Sequence, residues 1–78
     1  MYLEIIKPDA ELFKGDVVSV QVPGTNGLFE ILNDHMPIVS TLTEGKVRVI
    51  DTNNKTEFFE INGGVIEMSN NKITVLAD

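Results

Sequence analysis

The sequence predicts an all-β fold: an antiparallel β-sandwich of about eight to ten short strands in two sheets. Three observations carry this. Turn clusters rich in Gly, Asn, Asp and Pro recur every 8–12 residues or so, roughly the spacing of a sandwich or small barrel. The runs between them alternate apolar and polar residues with the period of two that turns one face inward. No window of about 11 residues keeps the 3.6-residue apolar period of an amphipathic helix. A hydrophobic fraction of 42%, with Val and Ile prominent, suits a folded β-rich core.

Tyr2 to Lys7 reads as a strand that stops at Pro8, whose nitrogen cannot donate to a ladder. Asp9-Ala10 is a turn, and Leu12-Phe13 begins a second extended piece that breaks at Gly15-Asp16. Val17 to Val22 is the clearest strand. Val18, Val20 and Val22 share the face expected to point inward, with Val17, Ser19 and Gln21 on the other. Gly24-Thr25-Asn26-Gly27 is a tight turn, because Gly and Asn tolerate positive φ. Leu28 to Leu32 is apolar apart from Glu30, and alternation admits either Leu28 and Leu32 or Phe29 and Ile31 to the core. Asn33-Asp34 is a second turn, whose exit Pro37 stiffens. Ile38 to Leu42 and Lys46 to Asp51 follow, with Val47 and Val49 inward and Lys46 and Arg48 outward. Asp51 to Lys55 is a hairpin turn, and Thr56 to Asn62 a strand with Phe59 and Ile61 on one face. Gly63-Gly64 is either a bulge or a place where another backbone comes close. Val65 to Met68 resumes the strand, Ser69-Asn70-Asn71 turns, and Ile73 to Ala77 closes the domain.

Length and composition bound the function. Seventy-eight residues, with no linker or repeat, form one domain, 1–78. There is no cysteine, hence no disulfide and no thiolate metal site. Twelve acidic against six basic residues give a net charge of −6, which repels phosphate backbones and anionic headgroups. Nucleic acid is therefore not an expected partner. No run approaches the roughly 20 apolar residues that span a bilayer, so work at a membrane goes through a partner, without direct insertion. Met1 to Ile6 is short, lacks a basic leader and carries Glu4, unlike a signal peptide.

Residues that carry chemistry are scarce. The single histidine, His35, sits beside Asp34, but sequence neighbours rarely form the dyad that activates a nucleophile. Two readings of His35 stand: a turn histidine, exposed or satisfied by nearby carbonyls, or a partner contact. Glu57, Glu60 and Glu67 read as a solvated sheet face. Asp51-Thr52-Asn53-Asn54 lacks the glycine and closing glutamate of a calcium loop. Gly24 to Gly27 is no phosphate loop, since no Gly-Lys-Ser/Thr follows. No catalytic residue, metal ligand, nucleotide site or cofactor is expected. The apolar crowd Leu28, Phe29, Ile31, Leu32 and Met36 raises the possibility of a small contact patch beside two turns. A different class stays open: a free-standing module binding a small ligand or carbohydrate. Such modules display aromatics, and here Tyr2, Phe13, Phe29, Phe58 and Phe59 are few, with no Trp.

The order of these pieces resembles the epsilon subunit of F-type ATP synthase. The resemblance rests on Phe13-x-Gly15, Val20-x-Val22-Pro23-Gly24, the Gly24-x-x-Gly27 turn and His35-x-Pro37. It continues through Leu42-x-x-Gly45-x-Val47, the run Glu60 to Glu67, and the ending Ile73 to Asp78. It implies a flattened sandwich of two five-stranded sheets and a noncatalytic central-stalk role. That role is binding gamma and the c-ring, and coupling proton translocation to ATP synthesis. It implies that Thr25, Asn26, Gly27 and Leu28 meet the polar loops of the c-ring, although the family often has an acidic or polar residue where this chain has Leu28. It implies that His35, Met36 and Pro37 lie toward gamma. It implies a peripheral place on the cytoplasmic face of the bacterial plasma membrane, within F1. The family's two C-terminal helices would begin after Asp78, and no site of theirs is carried over.

Overall fold

Six strands run through residues 1–78, all of which the computed structural model describes. They are β1 (Tyr2–Lys7), β2 (Ala10–Gly24), β3 (Gly27–Leu32), β4 (Ile38–Asp51), β5 (Thr56–Ser69) and β6 (Lys72–Ala77). Their order is β1-β6-β5-β4-β2-β3, and β1 also pairs with β2. Five strands thus close into a barrel-like sandwich, with β3 added to β2 as a sixth. All pairings are antiparallel except β1 with β6. The shape is flattened, 27 × 24 × 19 Å across the Cα atoms.

The all-β expectation holds, but the strand count differs. The expected breaks at Gly15, Gly45 and Gly63-Gly64 lie inside β2, β4 and β5, which are 15, 14 and 14 residues long. At these glycines the strands bend and continue. The two expected sheets are accordingly one continuous sheet.

The bend is clearest in the β4–β5 hairpin. Its register keeps one phase from Ile38↔Met68 to Ile50↔Thr56, with the Thr43 and Gly63 pair alone left out of the ladder. Yet the inward set changes parity along both strands: Leu42 then Val47 and Val49 in β4, Ile61 then Ile66 and Met68 in β5. Gly63 and Gly64 sit at the change, with φ of 126° and 145°, a region that side-chain-bearing residues rarely enter. Positive φ turns the pleat over without an inserted residue. Of the two readings of Gly63-Gly64, close approach is the one realised. The neighbour is β6 of the same chain: a Cβ on Gly64 would collide with the Leu76 carbonyl oxygen and sit 3.0 Å from Ala77 Cα. On the paired strands β2 and β4, Gly45 makes room for Pro23, whose Cβ would lie 2.9 Å from an added Cβ. Pro23 has no N–H to offer, and the β2–β4 register slips between Gln21 and Gly24.

A second slip, between Val17 and Ser19, corrects the expected facing of β2. Val17 is buried together with Val20 and Val22, whereas Val18 is half-buried. The irregularity flips the alternation there, as a bulge does. Elsewhere the expected faces hold: Val47, Val49 and Ile61 point into a core of 15 buried apolar side chains, with Phe59 packed against it.

β3 pairs with β2 alone, from Ser19↔Leu32 to Gly24↔Gly27. A polar tie across β2 reinforces it. Gln21 lies opposite Glu30 on one side and Arg48 on the other, so those two side chains share the outer face. Arg48 Nη2 donates to Glu30 Oε2 at 2.6 Å and to Ser19 Oγ at 3.1 Å, and the Ser19 hydroxyl donates to the same carboxylate at 2.6 Å. The Ser19 hydrogen bond, then that of Arg48, hold the Glu30 carboxyl below its ordinary pKa.

Two outcomes follow for stability. Gly64→Ala should cost about 2–3 kcal/mol in urea unfolding, from steric conflict and positive φ together. Gly27→Ala should cost only about 1 kcal/mol, because its φ of 124° is unfavourable but nothing lies within 4 Å. Equal costs would refute the close-approach account. Because folding lowers the pKa of Glu30, its stabilising contribution is complete above the ordinary glutamate value and is lost as pH falls through the folded value. Glu30→Gln should therefore flatten the acid limb of a stability–pH curve, with the curve unchanged in shape near neutrality.

Candidate partner-docking site

β3 carries one loop at each of its ends. Gly27 to Leu32 spans roughly 17 Å, at about 3.3 Å per residue. At one end, Thr25 and Asn26 form the β2–β3 connection and Gly27 and Leu28 open β3, and all four are exposed. Thr25 and Asn26 keep negative φ, and the positive φ falls on Gly27. The Thr25 N–H donates to the Thr41 carbonyl at 3.2 Å, and the two hydroxyls lie 3.1 Å apart. The turn is thus tied to β4 as well as to its own hairpin. A shallow depression beside it reaches across to Ile38 and Ser40, with Leu28 and Phe29 on its near side.

At the other end, His35, Met36 and Pro37 are also exposed. Asp34 takes φ of 61°, a conformation that Asp tolerates better than most residues. Its N–H donates to Asn71 Oδ1 at 3.0 Å, in the β5–β6 turn, and the His35 N–H donates to the Leu32 carbonyl at 3.2 Å. The His35 ring donates from Nδ1 to the Met36 carbonyl at 2.7 Å. Its position is therefore that of an exposed turn histidine with one nitrogen engaged locally. Asp34 and His35 form no dyad.

Alternation in β3 resolves as Phe29 and Ile31 inward and Leu28 and Leu32 outward. Leu28 is 66% and Met36 77% exposed, so each loop carries one prominent apolar side chain. Leu32 and Val39 extend the apolar surface near His35. The structure therefore brings each expected set together as an exposed cluster and separates the two sets by the length of β3. Between them, the Glu30 charge is matched by Arg48.

Two features escaped the sequence reading. One is the Ser19, Glu30 and Arg48 tie, which needs the β2–β4 register. The other is an exposed apolar pair on the outer face, Val65 opposite Leu76, with Val65 paired to Thr41. The parity of Val75 and Ala77, both buried, would have placed Leu76 outside. Glu57, Glu60 and Glu67 are exposed, and no three acidic or imidazole groups converge as metal ligands. The chain has no helix long and apolar enough to cross a membrane. Two separated, exposed loops on a hydrogen-bonded frame have the form of docking surfaces.

Comparisons with known proteins bear on what docks. Residues 1–78 match the family described as the beta-sandwich domain of the ATP synthase delta/epsilon chain. An ATP synthase epsilon chain of Chlorobium limicola is 40% identical over 76 residues, covering 97% of this chain and 86% of that protein. One of Campylobacter hominis is 42% identical over 79 residues, but this chain spans only 61% of its length. Among solved structures, a chain of the Euglena gracilis mitochondrial ATP synthase superposes with a TM-score of 0.89 at 19% identity. That match covers 96% of this chain and 48% of the Euglena chain, and it is a likeness of fold. The full-length family match, together with epsilon-chain relatives near 40% identity, shows that this chain belongs to the β-sandwich domain family of the ATP synthase delta and epsilon chains.

Proposed function

We propose that this chain is a noncatalytic central-stalk subunit of F1Fo ATP synthase that couples proton translocation to ATP synthesis by gripping two neighbours. Thr25, Asn26, Gly27 and Leu28 meet the c-ring, and His35, Met36 and Pro37 meet gamma. The single observation that carries this is the placement of the two exposed loops at opposite ends of β3, each tied to the frame by hydrogen bonds. Torque passed between two partners needs a connector whose contact points do not move relative to each other. A short strand hydrogen-bonded along the side of a closed sheet supplies that. The family membership supports the reading and disfavours a free-standing ligand-binding module. The place implied is peripheral, on the cytoplasmic face of the bacterial plasma membrane within F1. No nucleotide site, cofactor or metal forms part of it.

Leu28 brings an apolar side chain to the c-ring contact where an acidic or polar one is common in the family. Met36 and Leu32 offer an apolar anchor toward gamma, and interface anchors cost on the order of 2 kcal/mol when lost. Mixed with purified gamma, the chain should elute as a 1:1 complex in size-exclusion chromatography, and two separate peaks would sink the proposal. Met36→Asp should weaken the gamma complex by about 2 kcal/mol, roughly 30-fold in Kd. Leu28→Asp should spare that complex and lower recovery of the chain on intact c-ring-bearing enzyme. Both variants should keep the parent's unfolding free energy within about 0.5 kcal/mol, because both side chains are exposed.

A further inference from the structure

Two Asn-Gly pairs occur in the chain, Asn26-Gly27 and Asn62-Gly63. Asn-Gly is the dipeptide most prone to spontaneous amide loss, because no side chain on the second residue hinders ring closure. The structure sets the two pairs in opposite surroundings. Asn26 is exposed in the β2–β3 turn, and nothing lies within 4 Å of where a Gly27 Cβ would stand. Asn62 is held in the middle of β5, paired with Glu44 of β4. Gly63 is buried, its carbonyl accepts the Asp78 N–H at 3.0 Å, and an added Cβ would sit 3.0 Å from Asp78 Oδ2 and 3.3 Å from the Leu42 carbonyl oxygen. Gly27 opens β3 beside the turn with open space where a Cβ would stand, whereas Gly63 is enclosed within the sheet.

We propose that Asn26 is a site of self-modification, deamidating through a cyclic imide formed with the Gly27 nitrogen. The Gly27 amide nitrogen loses its proton to solvent base and attacks Asn26 Cγ. A Cγ–N bond forms, the Cγ–Nδ2 bond breaks, and the amide nitrogen leaves as ammonia, carrying a proton from water. Water then opens the imide. Cleavage at Cγ yields aspartate, and cleavage at the main-chain carbonyl yields isoaspartate, whose backbone runs through the former side chain. The sum is amide plus water to acid plus ammonia, with no oxidant or reductant. Either product adds a negative charge to a turn that has no cation hydrogen-bonded to it. Isoaspartate also adds a methylene to the connection that sets the Gly24↔Gly27 register. The remaining asparagines precede Asp, Asn or Lys, whose side chains impede the attack, and so serve as internal controls.

The chemistry belongs to the free chain. Its effect on the c-ring contact rests on the function proposed above, but the test does not, so the two can fail separately. The chain is held in warm, mildly alkaline buffer, digested, and mapped by mass, with isoaspartate detected by an isoaspartyl methyltransferase and labelled methyl donor. Conversion at Asn26 should outrun that at Asn62 by at least about tenfold, the factor that even a modest local opening cost imposes on a ladder position. Asn26→Ser should abolish the early acidic species in ion exchange, and Asn62→Ser should leave it. Equal rates at the two sites would overturn the proposal. So would an Asn26 that stays intact while an unfolded peptide of the same sequence converts.

Discussion

Everything in this fold depends on one hairpin turning its pleat over without losing its ladder. β4 and β5 keep one register on both sides of the bend while their inward faces switch near Gly45 and Gly63-Gly64. A sheet that merely twisted would leave one apolar face facing water, because strands bury alternate residues on a single side. Here the switch lets one pair of strands line the core before and after the bend. The ladder skips the Thr43 and Gly63 pair at the bend, where the Gly63 carbonyl instead accepts the Asp78 N–H, and resumes in the same register beyond it. The requirement falls on glycine because β6 crosses directly against Gly64.

The surface proposed to face partners is a by-product of that closure. Once β1, β6, β5, β4 and β2 form a ring, β3 is the strand left with a free edge. Its two ends then become the natural places for loops to stand clear of the frame. Its free edge is short, and Glu30 in its middle is held by Ser19 and Arg48. Short edges and outward charges are the usual defences against indiscriminate strand pairing. The proposed docking thus falls to the loops, where Leu28 and Met36 are exposed, and not to the edge.

How much was legible in the sequence varied with the physics involved. The turns were legible, since Gly27, Asp34, Asn54, Asn70 and Asn71 all take the positive φ that their residue types permit. The faces of β4 and β5 were legible within each segment, because period-two alternation is local. The joining of segments was not. Gly45 and Gly63-Gly64 read as breaks, since nothing local distinguishes a glycine that ends a strand from one that bends it. That distinction lies in Pro23 and Leu76, far away in the chain. The facing of Val17 and Val18 failed for a similar reason, because the slip beside Ser19 is set by its partner β4. The loop clusters at Thr25 to Leu28 and His35 to Pro37 were visible as turn chemistry beside apolar residues. Their separation by the length of β3 was implicit in the strand itself. The tie among Ser19, Glu30 and Arg48 was invisible, being a matter of cross-strand register.

The parallel pairing of β1 with β6 has a kinetic side. It joins Leu3 to Ile73 and Ile5 to Val75, nearly the whole sequence apart. Loop closure over such separations must be completed before those contacts reward it, which places the fold among the slower small domains, in the millisecond-to-second range or so. On the ribosome, β1 emerges first yet has to wait for β6. Until then its apolar side chains, Leu3 and Ile5, can shelter only against β2, so the nascent chain's earliest strand is also the last to be fully enclosed.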